Sequence, residues 1–281
     1  MSPRVVLITG CSSGIGKATA VAFHEAGWTV YASARRPETL ADLAGLGVQT
    51  LALDVLDEDS MTAAVAAVHA RYGVLDVLVN NAGYALQMPV EEATMEEVRR
   101  QFETNVFGLV RLTQLVLPGM RARHSGRIIN VSSMGGRFTL PGGSMYHASK
   151  HAVEAISDAL RLEVAPFGVK VVVVQPGPVR TEFGGTAVGG LTPSGIDGDT
   201  GPYADFKHRL AAAYASAYDG RRPGAASAPR RVAGVIVKAS TVRSPRSRYL
   251  IGPVARAFVT SRRLLPDKAF DLLLKAGFPT P

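Results

Sequence analysis

A tyrosine and a lysine stand four residues apart in the segment Tyr146-His147-Ala148-Ser149-Lys150. This spacing places both side chains on one face of a helix, within reach of each other. A free phenol titrates at about pH 10, too high for a general base at neutral pH. A neighbouring ammonium favours the phenolate and lowers its pKa. The pair can therefore exchange a proton with an alcohol or carbonyl oxygen, although the spacing alone also arises by chance.

Further polar residues stand where predicted strands end. Ser133 follows the predicted strand 127–132, and Asn80-Asn81-Ala82-Gly83 closes the strand before it. Asn105 lies inside a predicted long helix over 96–123. Because active groups collect at the carboxyl ends of parallel strands, we expect these residues near Tyr146.

A glycine-rich loop directly follows the first predicted strand and leads into a helix. Its glycines allow a tight turn and let the backbone approach a pyrophosphate, which then sits at the helix N-terminus. A plain strand-to-helix turn is the alternative. The loop residues expected to bind the cofactor are Gly10, Ser12, Ser13, Gly14, Ile15 and Gly16.

The end of the second predicted strand bears on which nicotinamide dinucleotide is bound. An NAD site usually places an acidic residue here to bind the ribose 2′-hydroxyl, but this chain has Ala34 followed by Arg35 and Arg36. A carboxylate repels a 2′-phosphate, whereas a guanidinium pairs with one. We expect NADP(H) to be preferred over NAD(H), with Arg35 as the phosphate contact. The alternative is two solvated arginines at the start of a helix.

Short β-branched runs alternate with helical patterns, which is typical of βαβ units in an α/β fold. The strands are predicted at 5–9, 29–33, 49–53, 74–79, 127–132, 170–175 and 248–251. The helices are predicted at 16–26, 59–72, 96–123, 145–167, 203–218, 230–240 and 267–276. Most strands are continuous apolar runs, as expected where helices cover both faces. The sequence predicts a Rossmann-type, doubly wound parallel sheet of about seven strands, with helices on both faces.

No second domain boundary is visible, so residues 1–281 are expected to form one domain. The segment 184–226 is rich in glycine and proline but contains several tyrosines. It is expected to cover the substrate as a lid, with an ordinary surface loop as the alternative. Residues 252–281 form a C-terminal extension.

Charge and composition exclude several classes of protein. The 281 residues carry a net charge of +8, and residues 221–281 hold 13 lysines and arginines against Asp267 and Asp271. No nucleic-acid motif accompanies this charge, so nucleic acid is not an expected partner. A solvated basic surface is one explanation, and peripheral contact with a membrane or an acidic partner is the other. There is one cysteine, no metal-ligand spacing, no leader and no transmembrane run, which favours a cytoplasmic protein without a metal.

Taken together, the motifs resemble the short-chain dehydrogenase/reductase family over residues 4–182. The resemblance rests on the Thr-Gly-x-x-x-Gly-x-Gly loop, Asp54-Val55, Asn80-Asn81-Ala82-Gly83, Asn105, Ser133, the Tyr-x-x-x-Lys pair and Pro176-Gly177-Pro178-Val179-Arg180-Thr181. It implies hydride transfer between a nicotinamide cofactor and a carbonyl or alcohol, and a homodimer or homotetramer built on the two long helices.

The resemblance also implies a role for each motif residue. Tyr146 is the acid/base, Lys150 holds the nicotinamide ribose and lowers the tyrosine pKa, Ser133 hydrogen-bonds the substrate oxygen, and Asn105 completes a proton relay. The remaining cofactor contacts are expected from Asp54, Val55, Asn81, Ala82, Gly83, Pro176, Gly177, Val179 and Thr181. His147 is expected on the helix surface.

The glycine loop and second strand are similar to the 17β-hydroxysteroid and retinol dehydrogenase branch, which favours a lipophilic ketone, aldehyde or alcohol. Two alternatives stay open. One is a reductase of 3-oxoacyl thioesters. The other is a cofactor-binding regulatory protein with vestigial activity.

Overall fold

The computed structural model describes residues 4–185, 191, 201–218 and 226–281. In these residues seven strands form one sheet in the order β3-β2-β1-β4-β5-β6-β7, and every neighbouring pair is parallel. The strands are β1 (Val5–Ile8), β2 (Thr29–Ala34), β3 (Gln49–Ala52), β4 (Val77–Asn80), β5 (Gly126–Val131), β6 (Val169–Pro176) and β7 (Arg248–Ile251). The chain winds outward from β1 to β3 and then returns to β4 on the other side. This reversal opens a crevice at the carboxyl ends of β1 and β4.

Ten α-helices connect or follow these strands within the described residues. They are α1 (Gly14–Glu25), α2 (Ala41–Gly45), α3 (Glu58–Tyr72), α4 (Met95–Phe102), α5 (Gly108–Ala122), α6 (Ser144–Val164), α7 (Ala204–Tyr218), α8 (Pro229–Thr241), α9 (Pro253–Leu264) and α10 (Asp267–Gly277). Three of the boundaries follow directly from capping chemistry. The Asp57 carboxylate accepts from two amides at the start of α3, Thr94 and Glu97 form a capping box on α4, and Pro253 begins α9.

The core has two layers, one on each face of the sheet. Successive strand residues point to opposite faces. In β1, Val6 and Ile8 therefore pack with α1 and α8, while Val5 and Leu7 pack with α3 and α5. All four side chains are fully buried. The predicted doubly wound sheet with helices on both faces is confirmed.

The long helix predicted over 96–123 differs in its middle. Between α4 and α5 the chain forms a π-helical turn, Glu103–Phe107, which is wider than an α-helical turn. This turn contains Asn105, whose side-chain amide makes its hydrogen bonds outside the helix.

The C-terminal extension contributes to the core. Sequence reasoning predicted α10 but missed α9, and both helices pack against the segment that follows β5. Phe270 and Leu274 of α10 and Val259 of α9 form a buried cluster with Phe138 and Leu140. The extension is therefore more than a solvated basic tail.

The described part of segment 184–226 contains α7. Residues 186–190, 192–200 and 219–225 of that segment lie outside the described residues. No helix among the described residues is long and apolar enough to cross a membrane.

Candidate active site

The loop after β1 is held against the end of β4 by hydrogen bonds. Thr9 Oγ1 accepts from the backbone amides of Asn81, at 3.0 Å, and Ala82, at 2.9 Å. The side-chain amide of Asn81 donates back to the carbonyls of Thr9 and Gly10, at 2.9 and 3.0 Å. These bonds fix the glycine loop at the crevice. The sequence motif includes Thr9, but sequence reasoning assigned no role to its hydroxyl.

Two glycines of the loop are required by geometry. Gly10 has φ +70° and Gly14 has φ +58°, in the left-handed region that other residues rarely adopt. A Cβ on Gly10 would lie 2.9 Å from the Cα of Ala82, and one on Gly14 would lie 3.0 Å from a Thr181 methyl carbon. Gly16 is buried instead behind the loop, where a Cβ would clash with the Gly10 carbonyl oxygen.

The N-terminus of α1 opens into the crevice with its amides available. Ser13 is the N-cap residue, but its side chain makes no capping hydrogen bond, and the first turn has no acidic residue. The first amides of a helix lack partners inside the helix and carry partial positive charge. This helix end therefore suits an anionic group.

Two adjoining cavities form one cleft across the carboxyl edge of the sheet. Gly10, Ser13, Asn81 and Gly83 line both of them. One cavity extends towards β2 and β3 and is lined in addition by Ser12, Ala34, Arg35, Asp54, Val55 and Ala82. Arg35 is exposed there, and the strand-end Ala34 leaves no carboxylate beside it.

The other cavity contains the expected catalytic side chains. Ser133 follows β5, while Tyr146 and Lys150 lie one turn apart at the start of α6. The Lys150 ammonium nitrogen lies 5.9 Å from the centre of the Tyr146 ring and donates to the Val131 carbonyl at 2.9 Å. Residues predicted from the segment after β6 line the same cavity: Pro176, Gly177, Val179 and Thr181.

Asn105 lies behind this cavity and ties three elements together. Its side-chain nitrogen donates to the Tyr84 carbonyl at 2.9 Å and to Ser149 Oγ at 3.1 Å, and its oxygen accepts from the Tyr84 amide at 3.1 Å. The point where a Gly83 Cβ would lie is 2.9 Å from Asn105 Oδ1 and 3.8 Å from Lys150 Nζ. The side chains of Asn105 and Lys150 thus both lie next to Gly83, which has no side chain of its own. Of the predicted residues, Gly16 and Asn105 do not line these two cavities.

Burial dominates the protonation of the catalytic pair. It raises the pKa of Tyr146 to about 12, although a hydrogen bond with Ser133 acts in the opposite direction. Burial also lowers the pKa of Lys150 to about 8, against the attraction of the Glu154 carboxylate. Lys150 is not among the groups that shift the Tyr146 pKa here, and its expected lowering of that pKa stays a prediction. At neutral pH the phenol is protonated and able to donate.

His147 is buried, so its expected place on the helix surface was wrong. Its exposed fraction is 4 %, and Nδ1 lies 3.0 Å from the Gly135 carbonyl oxygen. A Cβ on Gly135 would lie 2.2 Å from that same nitrogen. The imidazole occupies the space that the absence of a side chain at Gly135 leaves. Burial lowers the pKa of His147 to about 4. His147 thus anchors the turn that begins at Ser133.

An aromatic wall faces the phenol. The rings of Tyr146 and Phe183 have centres 5.8 Å apart, and those of Phe183 and Tyr218 are 6.5 Å apart. Phe183, Tyr218 and Met134 all line the catalytic cavity. Sequence reasoning missed Phe183. The available signal was an aromatic residue two positions after the expected cofactor contact Thr181.

Helix α7 carries Tyr218 and is fastened to the body of the protein. Its Leu210 packs on the bare backbone of Gly142, and its Lys207 pairs with Glu92 at 2.6 Å. Arg209, two residues after Lys207, donates to the Thr280 carbonyl at 3.0 Å. Helix α7 therefore reaches the cavity through Tyr218, and the role of segment 184–226 as a lid stays a prediction.

Comparison with known proteins gives consistent matches. The family model for short chain dehydrogenases matches residues 4–188. A 3-ketodihydrosphingosine reductase from Bacteroides thetaiotaomicron is 38 % identical over 278 residues, covering 98 % of each chain. An NADPH-dependent 3-dehydrocapnine reductase from Ornithobacterium rhinotracheale is 37 % identical over 277 residues, covering 95 % of each chain.

A solved structure agrees with these sequences. A short-chain dehydrogenase from Streptomyces avermitilis superimposes with a TM-score of 0.79 at 36 % identity, covering 98 % of this chain and 96 % of that one. Fold, motif geometry and sequence agree over nearly the whole length. The chain belongs to the short-chain dehydrogenase/reductase family and is an oxidoreductase.

Proposed function

We propose that this protein is an NADPH-dependent reductase that converts a lipophilic ketone or aldehyde into its alcohol. The observation that carries the proposal is a buried, protonated phenol, Tyr146, next to Ser133 in a cavity with an aromatic and apolar wall. Reduction of a carbonyl needs a proton donor at the oxygen, and a phenol with a raised pKa is in the donating form at neutral pH.

The cleft fits a dinucleotide. A pyrophosphate would lie on the free amides at the start of α1, where Gly10 and Gly14 leave room for close approach. The adenosine half would lie towards Asp54, Val55 and Ala82. The nicotinamide half would lie beside Tyr146, Val179 and Thr181. A bound NADPH supplies the hydride.

Arg35 supports NADPH rather than NADH. Its guanidinium is exposed in the adenosine half of the cleft, and Ala34 puts no negative charge there. A ribose 2′-phosphate would find a cation there and no carboxylate at the end of β2. One relative, the 3-dehydrocapnine reductase, is also NADPH-dependent by name. Arg35→Ala should weaken NADPH binding far more than NADH binding, and equal losses in two fluorescence titrations would contradict the phosphate contact.

Several residues of this chain have separate roles in the proposed reaction at the substrate oxygen. Tyr146 donates the proton, and Ser133 donates a hydrogen bond to the same oxygen. Lys150 holds the cofactor ribose, and the amide of Asn105 keeps the neighbouring turn in place for proton supply. The Ser133 hydroxyl is ready for this role because its oxygen already accepts from the Gly135 amide at 3.0 Å, which fixes the side chain.

The wall of the cavity favours an apolar substrate. Met134, Phe183 and Tyr218 present sulfur, methylene and ring surface opposite the phenol. The Bacteroides relative is named for a 3-keto compound of a long-chain base. Within the lipophilic class we therefore place long-chain ketones ahead of the steroids and retinal suggested by the branch resemblance.

A turnover panel tests the function. NADPH and NADH oxidation would be followed by absorbance with 3-ketodihydrosphingosine, a steroid ketone, retinal, a simple aldehyde and a 3-oxoacyl thioester. We expect NADPH-dependent turnover of a long-chain ketone that Tyr146→Phe abolishes while NADPH binding stays. Turnover of the thioester alone would favour the acyl reductase. NADPH binding without turnover of any compound would favour a regulatory protein.

We also propose that the protein assembles as a homodimer or homotetramer. The long helices expected at the interface expose large apolar side chains, including Phe107, at 53 %, and Leu162, at 68 %. Exposed apolar area of this kind commonly marks a contact between subunits. Light scattering of the wild type and Leu162→Asp tests this, and a monomeric wild type would contradict it.

A further inference from the structure

The C-terminal helix pair, α9 with α10, exposes an apolar outer surface. Among the described residues eleven large hydrophobic side chains are exposed, and four of them lie in the ten positions 264–273 of this pair. Leu264 is 77 % exposed and Leu272 is 67 % exposed, with Leu265 and Leu273 beside them. This cluster of exposed leucines indicates a surface that is covered by another apolar surface.

Helix geometry separates the two faces of α10. Residues along an α-helix turn by about 100° each, so Phe270 and Leu274 share one side. Both are buried against the body of the protein. Leu272 points opposite to them, and Lys268 and Lys275 flank it on one side. Asp271 lies further round on the lysine side, so the outward face is apolar with a margin of net positive charge.

The charges on the pair are mostly uncompensated. Arg262 pairs with Asp267 at 2.7 Å. Four further cations have no ion pair with any residue that the structure describes: Arg256, Arg263, Lys268 and Lys275. Asp271 is the only other carboxylate on these two helices. Five cations against two carboxylates give the pair a net charge of +3, which a negatively charged surface complements.

We propose that the outer face of the C-terminal helix pair docks on an anionic lipid surface. Exposed leucines would enter the boundary between headgroups and acyl chains, and the flanking lysines and arginines would contact lipid phosphates. A helix lying in the interface combines these two features, apolar area and basic flanks. A second copy of this chain would carry the same positive charge on its matching face and is disfavoured.

The docked face is continuous with the catalytic cavity. Phe270 and Leu274 pack on the Phe138–Leu140 segment, and Met134 joins this cluster while also lining the cavity. Arg209 of α7 is tied to the Thr280 carbonyl just beyond α10. A lipid surface on the helix pair would therefore lie close both to Met134 in the wall of the cavity and to helix α7. If the proposed function holds, apolar substrate would reach the site from the membrane.

Vesicle sedimentation of the full-length protein tests the proposal. We expect binding to vesicles containing phosphatidylglycerol, weak binding to phosphatidylcholine alone, and release by added salt. Each lysine near an anionic surface is worth about fivefold in affinity. Lys268→Gln with Lys275→Gln should therefore weaken binding about 25-fold. The matched control, Arg231→Gln with Lys238→Gln on exposed α8 positions, should bind as the wild type.

A second pair of variants tests the apolar contribution. Leu272→Ser should weaken vesicle binding about tenfold. Leu46→Ser, at a site that is 53 % exposed elsewhere, should have no effect. Equal loss in both variants of either pair, or no binding of the wild type to anionic vesicles, would overturn the proposal. So would a fall in molar mass of the Leu272→Ser protein in lipid-free solution, which would assign the face to a subunit contact.

The vesicle result is separable from the proposed reaction. Tyr146→Phe lacks the proton donor but leaves the helix pair unchanged, so it should bind anionic vesicles as the wild type does. Vesicle binding without ketone turnover would therefore contradict the function alone, and turnover without vesicle binding would contradict the docking alone.

Discussion

Replacing Phe270 by alanine tests whether the C-terminal extension supports the substrate cavity. Phe270 is 4 % exposed and packs edge-on against Phe138, with ring centres 5.9 Å apart. The Arg262 guanidinium lies 5.4 Å from the centre of the same ring. The substitution removes a buried ring and leaves a cavity beside the segment that follows Ser133.

The magnitude follows from this burial. Phenylalanine to alanine in a core costs about 3–5 kcal/mol, a range that already includes the ring contacts. In a domain of this size each kcal/mol lowers Tm by about 2–4 °C, so we expect a drop of about 10 °C. Leu272→Ala is the matched control on the same helix. Its side chain is 67 % exposed, so the change in unfolding free energy should stay within about 0.5 kcal/mol.

The assay combines urea unfolding with kinetics at one protein concentration, because subunit association also affects apparent stability. The Kd for NADPH should not change, since the glycine loop does not contact this cluster. KM for the ketone should rise, because Phe138 loses its support close to Met134 and the cavity. Equal stability of the two variants would refute the assignment of the extension to the core. A large loss of stability with an unchanged KM would refute its role in shaping the cavity.

Four further predictions follow from the glycine loop and the buried pair. Gly10→Ala places a Cβ 2.9 Å from the Ala82 backbone, at a residue with φ +70°. The substitution should strongly weaken NADPH binding in a fluorescence titration. Unchanged affinity would contradict the close approach of the cofactor to the loop. Because burial raises the pKa of Tyr146 to about 12, the cofactor-free protein should show no phenolate absorbance from this residue below about pH 11, judged against Tyr146→Phe. The folded-state pKa lies above the unfolded value of about 10, so the stability linked to Tyr146 should be fully present below pH ~10 and lost as pH rises towards 12. Glu154→Gln removes the carboxylate that raises the pKa of Lys150, so this pKa should fall below about 8. The pH profile of NADPH binding should then shift to lower pH. A shift to higher pH would contradict the stated effect of Glu154 on Lys150.

The sheet and the residues at its carboxyl edge could be predicted from the sequence because both depend on local patterns. Continuous apolar runs mark strands that are covered on both faces, and polar motifs directly after such runs must gather at one edge. Ser133, Asn81 and the glycine loop are brought together for this reason.

Features that depend on tertiary packing were harder to predict. His147 was expected on the helix surface, yet its ring fills the space beside Gly135, which has no side chain. Helix α9 was missed, although six of its twelve residues are apolar and Pro253 marks its start. Phe183 reaches the cavity only because the chain turns back after Thr181.

Because of the π-helical turn at Glu103–Phe107, the geometry of the site depends on the number of residues between Thr94 and Gly108. A π-helical turn holds one more residue than an α-helical turn, so the rotation of every later residue depends on that extra position. Deleting a single residue here would let the helix become regular and would turn Asn105 by about 100° relative to one of its flanks. Its amide could then no longer reach both Tyr84 and Ser149. In aligning related chains, a gap of one residue in this stretch therefore matters more than most substitutions within it.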